Sequence, residues 1–248
     1  MTAQGRIALG LLAAATLLCG LFFLVGYNEA NPVERSRAYA IAGMAAALLL
    51  IWVWLGGALM FALRHRVRAL VLKVPLDWRL KFILFATLLA CAEEGVTVSL
   101  TNLAPWFGVP LGVAFVTASA NYLDVIVFHS VVMFIPFFIT LALVLQRWDF
   151  SPFAVLVAFG LVGTTAEAIF AASPVTFVMF PLWCFVYGLM VWLPAFCLPP
   201  RPLRRAGAVL HLLLPPAILI LSLPMIVPLV WLISVRLGHP SIHFPPFP

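Results

Sequence analysis

Glu93, Glu94, Asp124 and Glu167 make up half of the chain's eight Asp and Glu residues. All four, together with His129, fall inside long apolar runs. A charged side chain near the centre of a bilayer costs roughly 2.5–3.5 kcal/mol on insertion scales, so intramembrane ionisable groups mark functional sites by default. No Lys or Arg stands in the run around Ala92-Glu93-Glu94-Gly95-Val96-Thr97 to offset the pair. A proton, a metal, a wet cavity or hydrogen-bond donors must stabilise it instead. Two chemistries fit these residue types. Carboxylates with a neutral imidazole form a ligand set for zinc or another divalent ion, drawn from Glu94, His129, Glu167 and Asp124. Without a metal, Glu94, with Glu93 beside it, can serve as the general base that activates water while His129 orients it or acts as acid.

Helical spacing arranges the supporting polar groups. Cys91, Glu94, Thr97 or Val98, and Thr101 share one face at steps of three and four, and Glu93 lies on a side shared with Thr97. Further along, Tyr122 and His129 share a face, with Asn121 and Asp124 on a neighbouring one. Gly160, Gly163, Thr164, Glu167 and Ala171 form a small-residue stripe of the kind that lets membrane helices approach closely. That stripe carries Glu167 into a helix interface. His65 and His211 lie away from this cluster. His239 and His243 fall in a Pro-rich tail, and two histidines by themselves do not make a metal site.

The elements that must position these groups are membrane spans. Hydrophobic residues are 65% of the 248 and charged residues 9%, against about 25% charged in soluble domains. Mean hydropathy is +1.17. The formal net charge of +6 suggests nucleic acid only until the cations are mapped. They sit between apolar runs, where they set topology, so nucleic acid is excluded as a partner. Cys19, Cys91, Cys184 and Cys197 match neither a redox pair nor a zinc ribbon and read as buried free thiols.

At about 20 apolar residues per crossing, the chain predicts an all-α polytopic membrane protein: one integral domain over 1–248 with about seven spans. They fall at about 7–26, 38–63, 82–103, 122–145, 152–172, 175–198 and 208–236, the last a single kinked helix despite its four prolines. The apolar run after Arg6 is too long for a signal h-region and reads as an uncleaved first span. Residues 104–121, broken by Gly108, Pro110 and Gly112, read as a short interfacial or re-entrant segment. Residues 237–248 form the tail, without regular structure.

Arg64, Arg66, Arg68, Lys73, Arg79 and Lys81, with Arg147 and with Arg201, Arg204 and Arg205, fall on one side if the spans alternate. The positive-inside rule then puts the N-terminus inside and the C-terminus outside, most simply in a bacterial inner membrane. In that orientation span four runs inward from about Tyr122, with His129 roughly 10 Å deeper, and Glu167 lies roughly 8 Å below the outer surface. A cavity open to the outside would reach the whole cluster.

An adjacent Glu pair followed by an intramembrane His resembles the glutamate-dependent CAAX-type membrane proteases. That family's Glu-Glu-x-x-x-Arg meets Val98 here. Its Phe-x-x-x-His meets Val125, with Phe128 directly before His129. Its later His-x-x-x-Asn has no counterpart, and Glu167 stands where a ligand His is expected. The resemblance covers a handful of residues, and no membership is read from it. The residues support a membrane-embedded hydrolase, with or without a divalent metal such as zinc. A proton- or ion-coupled transporter and a non-catalytic membrane or lipid-binding subunit are the alternatives. The lipid bilayer is the one required partner; a lipophilic or membrane-embedded substrate and oligomer formation are compatible with the composition.

Overall fold

The computed structural model describes residues 2–244. It is all-α, with six helices long and apolar enough to cross a membrane, or seven when one bent pair is counted as a span. Residues 245–248 of the expected tail lie outside the described residues.

Helix α1 (Ala3–Tyr27) starts where the Thr2 side chain accepts from Gly5 N at 3.2 Å. The polar turn beyond Tyr27 leads to Asn31, which caps α2 (Pro32–Leu48) by accepting from Val33 N at 2.9 Å. Pro32 stands at the helix start, where its missing N–H costs nothing. A stretch of wider π-type winding, Leu49–Gly56, joins α2 to α3 (Gly57–Lys73) without interruption. The result is one helix of 42 residues, Pro32–Lys73. The segment 64–81 is therefore not a loop. Arg64, Arg66, Arg68 and Lys73 ride the second half of α3, with Lys73 in the last turn, where a cation suits the helix dipole, and only a short turn precedes α4 (Trp78–Asn102). Asp77 caps α4 by accepting from Arg79 N at 2.9 Å and pairs with the Arg79 side chain at 2.8 Å.

Beyond Asn102 a single 3-10 turn, Ala104–Phe107, passes into irregular backbone through residue 121. This segment folds back on α4. Val116 N donates to Thr101 Oγ1 at 3.2 Å, and Asn102 Nδ2 donates to Ala120 O at 2.8 Å. The ring of Phe107 fills the space where Gly43 of α2 lacks a side chain. These bonds hold the irregular backbone against protein.

The fourth span, expected as one helix, is two. Asn121 caps α5 (Tyr122–Phe128), and α6 (Ser130–Leu145) follows after a 41° bend at His129, whose φ of −122° and ψ of −116° leave the helical region. In an unbroken helix residues five apart point about 140° away from each other. The break removes that separation and turns His129 towards Asp124.

Helices α7 (Pro152–Phe170) and α8 (Phe180–Phe196) make the tightest pair, and the glycine stripe explains why. A Cβ on Gly160 would overlap the backbone of Cys184, one on Gly163 the ring of Tyr187, and one on Gly188 would fall 2.7 Å from Leu156 O. Close backbone approach is how helices associate without a hydrophobic driving force. Helix α9 (Ala208–Val230) continues as a wider π-type turn, Trp231–Arg236, so 208–236 is one span despite its internal prolines. All four cysteines are free.

Candidate functional site

Two polar groups occupy the end of the bundle that carries residues 103–121, and one piece of irregular chain joins them. The deeper group is built on α4. Glu93 and Glu94 are 3% and 5% exposed, and Thr97 and Thr101 are equally buried. Glu94 Oε2 accepts from Thr97 Oγ1 at 2.8 Å, one helical turn away, and from Thr117 Oγ1 at 2.9 Å. Thr97 Oγ1 also lies 3.1 Å from Glu94 O, which fixes its hydroxyl beside the carboxylate. Among the described residues, no side chain hydrogen-bonds the Glu93 carboxylate. Glu167 of α7 faces the same region and accepts a hydrogen bond from the Tyr187 hydroxyl of α8. Glu93, Glu94 and Glu167 are the three carboxylates of this deeper group.

The outer group is built on Asp124, whose side chain is 9% exposed. His239 Nε2 lies 2.8 Å from Asp124 Oδ1, and His243 Nδ1 lies 3.1 Å from Oδ2. His129 Nε2 lies 3.4 Å from Oδ2. It is buried and, despite that proximity, makes no hydrogen bond of good geometry. The rings of His129 and His239 meet edge to face at 5.0 Å, and those of His239 and His243 at 5.2 Å.

Local chain geometry delivers the tail histidines here. Gly238 takes φ +65°, the left-handed conformation with which glycine ends helices. His239 N then donates to Ile233 O at 3.0 Å, and the chain reverses over the helix end. The His239 ring stacks on Phe128 at 4.7 Å, and Phe115 meets Phe244 at 4.9 Å. Finally His243 N donates to Ala118 O at 2.8 Å. The expectation that the tail contributes no site residues is therefore corrected: its two histidines converge on Asp124. The signal was present in the sequence, since the predicted topology puts the tail on the same face as Asp124.

Residues 117–119 join the two groups. Thr117 holds Glu94, Ala118 holds the tail, and the Ser119 hydroxyl stands beside Asp124. The remaining sequence candidates divide. Thr97 supports Glu94 directly. Asn121 supports Asp124 indirectly, capping α5 by accepting from Leu123 N at 3.0 Å and Asp124 N at 3.4 Å. The Tyr122 hydroxyl donates to Cys91 O at 2.8 Å, away from His129, and Thr164 donates to Gly160 O of its own helix at 2.8 Å. The structure does not bring Glu94, Glu167, His129 and Asp124 around one point. Glu94 and Glu167 bond to hydroxyls in the deeper group, while His129 and Asp124 belong to the outer one. Thr117, Tyr187, His239 and His243 are additions that spacing did not single out.

No protein-family model, curated protein or solved structure matches this chain.

Proposed function

We propose that this protein is a membrane-embedded hydrolase whose site opens at the outer face, with Glu94 as the group that takes a proton from the attacking water. The observation carrying this reading is the Thr97 and Thr117 clamp on a buried carboxylate, with Ser119, two residues after Thr117, beside Asp124. The clamp leaves Glu94 oriented, and carboxyl groups gathered in one low-dielectric region resist simultaneous ionisation, the condition under which one holds a proton and another accepts one. In the reaction, a water O–H bond breaks as its oxygen attacks the electrophilic carbon or phosphorus of a lipophilic substrate. The proton passes to Glu94 and then to the leaving group. His129, held near Asp124 by the break between α5 and α6, is positioned to orient substrate or water.

A proton- or ion-coupled transporter is the second reading, favoured by the run of titratable groups from Glu167 to His243. Against it, that run stops at one end of the bundle. Towards the basic end, Phe137, Phe138 and Phe159 pack together and are buried, with Phe138 and Phe159 stacked at 5.4 Å. Among the described residues, no Asp or Glu inside helices α3 to α9 lies beyond that layer; Asp77 and Asp149 stand in the turns between helices. The distribution of Lys and Arg supports the N-terminus inside and the C-terminus outside, in a bacterial inner membrane.

The test is a panel of membrane-soluble esters, phosphoesters and peptides offered to the full chain in nanodiscs, beside Glu94→Gln. Hydrolysis that disappears in Glu94→Gln supports the reading. Equal rates in both proteins overturn it, as does Glu94-dependent proton or ion flux in liposomes without hydrolysis.

A further inference from the structure

We propose that Asp124, His239 and His243 bind a divalent transition-metal ion, with His129 standing beside Asp124 at the edge of the site. One ligand atom from each of the first three residues lies within 4.8 Å of the others. Donors of a tetrahedral ion bound at about 2.0–2.2 Å stand roughly 3.4 Å apart, so small adjustments bring these atoms into range.

The hydrogen bonds assign the His239 ring. His239 Nδ1 lies 3.0 Å from Pro240 O. A carbonyl only accepts, so Nδ1 carries the proton. In the neutral ring, Nε2 is then a bare lone pair, and it faces the carboxylate oxygen of Asp124 at 2.8 Å. Two lone pairs at that distance repel unless a positive centre lies between or beside them. Either a second ring proton or a metal ion supplies it. An imidazole whose other N–H is committed to a backbone carbonyl is the arrangement found around bound metals, because it fixes the tautomer that coordinates.

His129 gives independent support. Its side chain is 7% exposed, and its Nε2 is buried without a hydrogen-bond partner while lying 3.4 Å from Asp124 Oδ2. A buried nitrogen left without a partner is costly, and an ion beside Asp124 would satisfy it. The donor chemistry selects the ion. Imidazoles with one carboxylate suit zinc, manganese or iron(II), whereas magnesium and calcium require oxygen donors. His243 is 54% exposed in its side chain, which gives the ion a route from water.

Binding stands on this geometry; only the further step, that the ion polarises substrate or water, rests on the hydrolase reading. The full chain, purified through a tag without histidine, stripped with chelator and held in nanodiscs, is titrated with Zn2+ by calorimetry. Co2+ is then used to read its visible ligand-field bands. The expected result is about one Zn2+ per chain, with no comparable binding of Mg2+. His239→Ala/His243→Ala should weaken it by about 100-fold or more, and Asp124→Asn by at least about tenfold. Glu94→Gln should bind like the wild type. The paired tail variant leaves the bundle intact should Asp124→Asn fail to fold. Absence of stoichiometric Zn2+ binding overturns the inference, as does unchanged binding in the tail variant. Zn2+ binding without any hydrolysis sinks the proposed reaction alone; Glu94-dependent hydrolysis by a chain that binds no Zn2+ sinks the metal site alone.

Discussion

His239 and Asp124, separated by 115 positions in the chain, meet at 2.8 Å. The contact joins the C-terminal tail to the first turn of α5, at the end of the bundle that carries residues 103–121. It depends on a reversal at Gly238, a stack on Phe128 and one backbone bond to Ala118. Each can be disturbed without touching Asp124.

Gly238→Ala is the mildest disturbance. The position has open space around it but requires φ +65°, and a side chain there costs roughly 1–2 kcal/mol. The tail should detach more often, so protease should cut between Arg236 and His243 several times faster than in the wild type while the helices remain protected. Equal cleavage rates would show that the tail is held by its aromatic contacts alone.

Thr117→Val should remove one of the hydroxyls that bond Glu94, leaving those of Thr97 and Ser130. A lost hydrogen bond to a buried charged group costs about 1.5–3 kcal/mol, and turnover should fall about 10- to 100-fold with little change in KM. Thr117→Ser, which restores the donor, should recover most of the rate. A variant in which Val and Ser behave alike would detach Thr117 from the chemistry.

Gly160→Ala and Gly10→Ala separate packing from helix propensity. The added methyl at Gly160 meets the Cys184 backbone, whereas at Gly10 it meets nothing within 4 Å. Thermal unfolding in detergent should show Gly160→Ala destabilised by about 1–3 kcal/mol and Gly10→Ala unchanged or stabilised by up to about 1 kcal/mol. The opposite order would contradict the tight α7–α8 interface.

Asp77 gives a pH prediction outside the membrane. The hydrogen bonds from Arg79 hold its carboxyl below the usual range. A folded-state value lower than the unfolded one stabilises the fold above the ordinary carboxylate range, near pH 4, and that contribution is lost as pH falls through the folded value. Asp77→Asn should therefore melt below the wild type at pH 7, and the gap should narrow below about pH 4 and close once pH falls below the folded value. A gap that persists in acid would mean that the cap acts without its charge.

Much of this arrangement was legible from local spacing. Glu94 and Thr97 are three apart on a helix, so their contact follows from helical geometry. Gly160 and Gly163 announced a close interface for the same reason, and the apolar runs marked the crossings. What spacing could not supply were the contacts made by irregular backbone. Thr117 reaches Glu94 from a loop without periodicity, and His243 reaches Asp124 across 119 positions. The break at His129 was hidden because neither Pro nor Gly stands there. Nothing in local spacing singles out Tyr187, since its Glu167 partner lies on the neighbouring helix.

The uninterrupted helix Pro32–Lys73 has 42 residues, hence a length of about 63 Å at 1.5 Å per residue. Bilayer hydrocarbon is only about 30 Å thick. Even strongly tilted, such a rod projects well past the acyl chains. Its terminal Arg64, Arg66, Arg68 and Lys73 then fall among the lipid phosphates, each worth about 1 kcal/mol against an anionic leaflet. A rigid rod anchored at its cationic end sets the depth at which every helix packed against it floats. The composition of the facing leaflet would thus govern how far Asp124 and its histidines stand from bulk water.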